Sequence, residues 1–180
     1  FIAGYSSKVE LKEQDPVNIK AAEAMAKLHD KLKEIGYDGH NLELYLVRLL
    51  FCLFADDTTI FNKNIFYDYI RTHSSEDGSN LASVINEVFE ILNTPIEKRL
   101  KNISEELNAF PYVNGKLFEE RLPLASFDSK MRSILLNCSA LDWGSISPAI
   151  FGSMFQGVMD GDKRRNLGAH YTSERNILKL

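Results

Sequence analysis

A chain of 180 residues, 44% hydrophobic and 26% charged, has the make-up of an ordinary soluble globular protein, with room for one good core or two small ones. A net charge of -4 and a pI near 5.6 argue against a surface that grips nucleic acid unaided, because such binding rests largely on Lys and Arg at phosphates. The cysteines, Cys52 and Cys138, lie in apolar helical runs and read as buried thiols without disulfide or zinc spacing, which suits a reducing cytoplasm. No signal peptide and no apolar run of bilayer length occurs, so no membrane partner is expected.

Residues 1-15 hold no sustained period, and the polar run Ser6 to Asp15 reads as a linker. Asp15-Pro16 pairs an N-cap with a first-position proline, and Ile19, Ala22, Met25, Ala26 and Leu28 mark one face of a helix that Gly36 ends. From about Asn41 to Ala55 apolar residues surround the helix axis, which places this helix in the middle of a bundle. Arg48 lies inside that run; buried, it requires a partner, for which Glu43, Glu23 or a carboxylate of a neighbouring helix is available. Asp56-Asp57 reads as a polar helix end. Adjacent carboxylates do not naturally face one ion, and hard cations demand several oxygen ligands.

A short helix is expected near Lys63 to Thr72, then a turn at Asp77-Gly78-Ser79, then an amphipathic helix carrying Leu81, Val84, Ile85, Val88 and Leu92. Thr94-Pro95-Ile96-Glu97 has the form of a capped helix start, and Ile96, Leu100, Ile103 and Leu107 supply a narrow stripe for an outer helix with a charged, solvated face. In Phe110-Pro111-Tyr112-Val113-Asn114-Gly115-Lys116-Leu117-Phe118, Asn-Gly between two short apolar runs predicts a β-hairpin whose aromatics anchor it to the core. A boundary falls just before it. Asp128 begins another helix with Met131, Ile134, Leu135 and Cys138 inward. Asp142-Trp143-Gly144 is a loop. Ser147-Pro148 opens a helix that buries Phe151, Met154, Phe155 and Val158, in which Gly152 either permits close packing or is merely tolerated.

Gly161 to Arg165 is a basic turn, a solvated loop that could also meet phosphate in a larger assembly. It leads to Leu167-Gly168-Ala169-His170-Tyr171-Thr172-Ser173-Glu174, where Thr172 or Ser173 can cap the helix that follows. A helix N-terminus flanked by hydroxyls is also a ready anion site. On residue chemistry alone the cap is the commoner outcome. The chain begins on Phe1 and stops inside the apolar pattern Ile177-Leu178-Lys179-Leu180, so a piece of a longer protein is expected.

Leu167 to Glu174 resembles the segment that opens the methyltransferase domain of the MmeI-like DNA methyltransferases. Tyr37 to His40, Leu46 to Thr58, Phe110 to Gly115 and Asp142 to Gln156 resemble the same family, in the family's order. The resemblance implies a mainly α chain: a multi-helix bundle (the spacer, 16-108), then helices and a short β-hairpin leading into a truncated α/β methyltransferase domain (109-180). It implies a bacterial, cytoplasmic parent that methylates adenine with S-adenosyl-L-methionine, acts on double-stranded DNA and is bound up with restriction. Adjoining nuclease, methyltransferase and target-recognition domains are implied as partners. The implied cofactor site is Gly168, Ala169, His170, Tyr171, Thr172 and Ser173, with Tyr171 near the cofactor and Thr172 with backbone N–H groups at its carboxylate end. His170 is its weakest member, since a lone histidine beside a turn is more often structural.

The Asn-Pro-Pro-Tyr type loop that holds an extruded base, and the glycine-rich strand-to-helix turn that cradles the cofactor, do not occur in these 180 residues. No metal-ligand spacing connects His29, His40 and His73, and no Gly-x-Ser-x-Gly elbow is present. The chain alone is expected to carry no catalytic residue, no metal and no tightly bound cofactor. The rival reading is a non-enzymatic helical interaction or scaffold module. A free-standing DNA-binding protein would want a basic stripe on one helix, and none stands out.

Overall fold

The computed structural model describes residues 2-159, with side chains over 16-157. Seven α-helices are described: α1 (Ile2–Glu34), α2 (Gly39–Ala55), α3 (Ile65–His73), α4 (Leu81–Leu92), α5 (Glu105–Asn108), α6 (Ser129–Ser139) and α7 (Pro148–Met159), with short 3-10 turns at Ile96–Lys98 and Trp143–Ser145. No β-strand occurs among the described residues, and none of their helices is long and apolar enough to cross a membrane.

The central helix is α2, as its composition requires. Leu42, Tyr45, Leu46, Leu49, Leu50 and Leu53 are all buried, and α1, α3 and α7 pack around it. Helix α1 contributes Ala22, Met25, Leu28 and Leu32, and ends in paired bonds from Gly36 N to Lys33 O and from Tyr37 N to Leu32 O, with Gly36 at φ +95°. Helix α4 buries the apolar face read from its spacing. Asp128 caps α6 by accepting from Met131 N at 2.8 Å, and Met131, Leu135 and Cys138 point inward, with Ile134 half-buried. In α7, Met154 is buried while Phe151 and Phe155 are half-buried; Val158 lies outside the described side chains. Among the described residues, nothing lies within 4 Å of a Cβ placed at Gly152. Gly78 is required: its φ is +76°, and a Cβ there would stand 2.5 Å from Asp128 O, where the turn before α4 abuts the cap of α6.

Several expectations need correction. Helix α1 begins at Ile2, not at Asp15-Pro16, so the residues read as a linker are helical and Pro16 lies inside the helix. The run Lys8 to Gln14 is rich in good helix formers, and they carry the helix through a proline that lacks one donor. No helix spans 96-107. Pro95 is extended (ψ 144°), Thr94 donates its hydroxyl to Glu90 O instead of capping, and Ser104 starts a separate turn by accepting from Leu107 N. Arg99 holds this segment folded back by donating to Ile91 O, Thr94 O and Asn108 O. The stripe residues Ile96 and Leu100 are left 63% and 73% exposed. The β-hairpin is also absent. A tight Asn-Gly hairpin turn needs positive φ at both residues, yet Asn114 does not adopt it and only Gly115 does (φ +139°). Instead 110-127 crosses the bundle as an irregular strap. Val113 N bonds to Leu92 O at 2.8 Å, and Phe110 and Phe118 are buried as its anchors. One contiguous core runs through helices, strap and Trp143.

Candidate functional site

The motif residues Gly168, Ala169, His170, Tyr171, Thr172 and Ser173 lie outside the described residues. What the structure positions is the framework that precedes them. Its polar chemistry lies along the first half of α2 and just past its C-terminal end, on the very segments that resemble a family.

The strap is held by Tyr37 before α2, His40 in its first turn and Arg48 at its middle. Arg48, 3% exposed, donates from Nε to Leu117 O at 2.8 Å and from Nη2 to Glu120 O at 2.6 Å. Its guanidinium also lies 5.5 Å from the ring centroids of both Phe89 and Phe118. The expected carboxylate partner is thus replaced by backbone carbonyls, which a planar guanidinium can serve in a fork. Burial lowers the pKa of Arg48, and the charge of Glu120 opposes that. Tyr37 donates to Pro123 O at 2.8 Å, and His40 Nε2 lies 2.6 Å from Glu120 Oε2. Tyr37, His40 and Arg48 therefore fasten one continuous strap.

Just past the C-terminal end of α2, Asp56 and Asp57 fulfil structural roles that their sequence position hides. Asp56 is buried and accepts from Phe66 N at 2.9 Å and Tyr67 N at 3.0 Å, capping α3 from the preceding loop. Burial outweighs those two bonds and raises its pKa from 3.8 to about 6. Asp57 Oδ2 accepts from Trp143 N at 2.8 Å, while the indole Nε1 of Trp143 donates to Cys138 O at 2.9 Å. Beside this junction Phe54 of α2 meets Phe151 of α7, with ring centroids 4.3 Å apart. The junction fixes how α7 packs on α2.

Chemically this framework is quiet. Among the described residues no group of His, Cys, Asp or Glu is placed to hold a metal ion. Burial raises the thiol pKa of Cys52 and pushes that of Cys138 up to about 12, so neither is a ready nucleophile. His73 pairs with Glu106 at 2.9 Å, and His29 with Asp30 at 3.0 Å.

One feature escaped the sequence reading. Lys20, Lys27 and Lys31 fall on one face of α1, and Lys27 and Lys31 join Lys130 and Arg132 of α6 in lining a shallow groove. Spacings of seven and four residues within α1 carried that signal. The contribution of α6 did not exist until the two helices packed.

Residues 40–118 match the family described as the MmeI helicase spacer domain. Over 177 residues, 96% of this chain, it is 42% identical to DNA methyltransferase A of Bacillus subtilis (strain 168). The solved structure of the type IIL restriction-modification enzyme MmeI in complex with DNA is 69% identical and superposes on 90% of the chain with a TM-score of 0.74. The chain spans 20% of the length of the first relative and 22% of the second. This chain belongs to the MmeI-like restriction-modification family, whose helical spacer it carries.

Proposed function

We propose that this chain is the spacer, and the entry to the methyltransferase domain, of a bacterial cytoplasmic protein that methylates adenine N6 in double-stranded DNA using S-adenosyl-L-methionine. Residues 16-108 form the spacer proper, and 109-180 lead into the catalytic domain. The carrying observation is the 69% identity to a restriction-modification enzyme solved with DNA, together with the Gly168 to Ser173 motif at the end of the chain. In this reading Tyr171 packs near the cofactor and Thr172 with adjacent N–H groups holds its carboxylate. Gly168, Ala169, His170 and Ser173 complete the turn. The chain alone is inactive, because neither an Asn-Pro-Pro-Tyr type loop nor a glycine-rich cofactor turn occurs in it. Nuclease and target-recognition domains adjoin it in the whole protein.

The framework supports a spacer role. Buried polar fastenings at Arg48, Asp56 and Asp57 hold helices and strap in one arrangement, so the packing of α1 is relayed to α7. The test is calorimetric titration of S-adenosyl-L-methionine into this chain and into a longer one that continues past Leu180. Binding by the longer chain only is expected, and Thr172→Ala in it should weaken affinity about tenfold, the loss of a charge-assisted hydrogen bond. Binding by neither would reduce Tyr171 and Thr172 to helix capping and favour a plain scaffold.

A further inference from the structure

We propose that the groove between α1 and α6 is a docking face for the phosphate backbone of duplex DNA, resting on the reading that the whole protein acts on DNA. Lys27 and Lys31 line the groove from α1, and Ser129, Lys130, Arg132 and Ser133 line it from α6. Glu76 also lines the groove, and Glu23 stands in the neighbouring depression with Lys20. The protein as a whole carries a charge of -4, so this is a local concentration of cations against the overall sign. Such segregation is the electrostatic footprint of a polyanion contact.

The cations are available. Lys20, Lys27 and Lys130 are exposed, and among the described residues neither Lys27 nor Lys130 makes an ion pair. Lys31 reaches Glu34 at 3.8 Å in a solvent-exposed contact, which a phosphate can displace at little cost. Arg132 is committed otherwise: it donates to Ser74 Oγ at 2.8 Å and to Arg71 O at 3.2 Å, and so adds fixed positive charge to the groove.

Geometry favours a rod-like polyanion over an acidic protein face. From Lys20, in the neighbouring depression on the same face of α1, to Lys31 in the groove, the helix rises about 16 Å, at about 1.5 Å per residue. That length faces roughly five phosphates of one strand, at about 3.4 Å of axis per charge. Serine hydroxyls beside lysines also suit phosphate oxygens, which accept from both. Contacts of this kind to phosphate oxygens carry no sequence information, so the contact is sequence-independent and positions the duplex for the rest of the protein.

The experiment titrates a short duplex into the isotopically labelled chain and follows backbone amide shifts. The expected shifts cluster at Lys27, Lys31, Ser129, Lys130 and Ser133, and fade with salt at a slope of about -3, near -0.9 per neutralised phosphate. The triple variant Lys27→Glu, Lys31→Glu, Lys130→Glu should abolish them. Reversal of Lys98, Lys101 and Lys116, which lie elsewhere, should leave them in place. Lys→Gln versions of the first set serve if the reversed chain loses its helical circular dichroism. Shifts scattered over other faces, an equal loss in the control triple, or no shift at millimolar duplex would each overturn the proposal. Equal response to polyglutamate would assign the groove to an acidic protein face instead. Cofactor binding is not involved, so failure here leaves the methyltransferase reading standing, and failure of that reading leaves this titration interpretable.

Discussion

Arg48→Met keeps an unbranched, apolar-compatible side chain in the bundle but removes both donors to the strap. The carbonyls of Leu117 and Glu120 then lose their partner, together with the cation that lies against Phe89 and Phe118. Each hydrogen bond from a charged donor contributes about 1.5–3 kcal/mol. Two are lost, but the guanidinium's desolvation penalty is recovered, and the Glu120 end of the strap can rehydrate because its side chain is half exposed. A net loss of about 2–3 kcal/mol follows, or a fall of roughly 4–12 °C in Tm for a chain of this size. Arg48→Lys should lie between, since an ammonium cannot serve two carbonyls in a planar fork. Urea unfolding measures the loss, and amide hydrogen exchange locates it: protection should fall first across 110-127 and spare α4. A change below about 0.5 kcal/mol, with the strap equally protected, would mean that Phe110 and Phe118 alone hold it, and the account of Arg48 would be refuted.

Two further outcomes follow from the same packing. Burial raises the Asp56 pKa from 3.8 to about 6, so the folded state binds a proton more tightly than the unfolded one. That contribution is fully present below pH 3.8 and is lost as pH rises through about 6, with a ceiling of about 3 kcal/mol for a shift of two units. In Tm measured against pH, Asp56→Asn should therefore remove a downward slope between about pH 4 and 7; parallel curves would contradict the burial of that carboxylate. Ile96→Glu and Leu100→Glu should each change stability by less than about 0.5 kcal/mol, because both side chains are exposed in an irregular segment. A loss above about 2 kcal/mol in either would indicate the buried helical stripe that the structure lacks.

Local signals settled much of this protein before any packing was known. The all-round apolar composition of α2 dictated its central place, and the three-and-four spacing of Leu81 to Leu92 dictated the inward face of α4. Asp128 announced α6 because a cap acts within one turn of its own residue. The words at Tyr37 to His40, Leu46 to Thr58 and Asp142 to Gln156 were legible as family signatures, but their physical purpose was not. Tyr37 and Arg48 bond carbonyls 86 and 69 residues away, and Asp57 reaches Trp143 across 86. Tertiary structure decided those partners, as it decided that Asn-Gly at 114-115 would turn a strap and not a hairpin. A two-residue turn makes a hairpin only if its flanks pair with each other. Here Val113 bonds to Leu92, and Arg48 takes the carbonyls of Leu117 and Glu120. The helical period of 96-107 failed for a related reason: a stripe specifies a helix only where a core receives all of it, and here Ile103 and Leu107 pack against the core while Ile96 and Leu100 stay exposed. The basic groove is the clearest division of labour. Its α1 lysines were written in the sequence, but Lys130 and Arg132 joined them only when α6 packed against α1, since charges far apart along a chain become one field only in the fold.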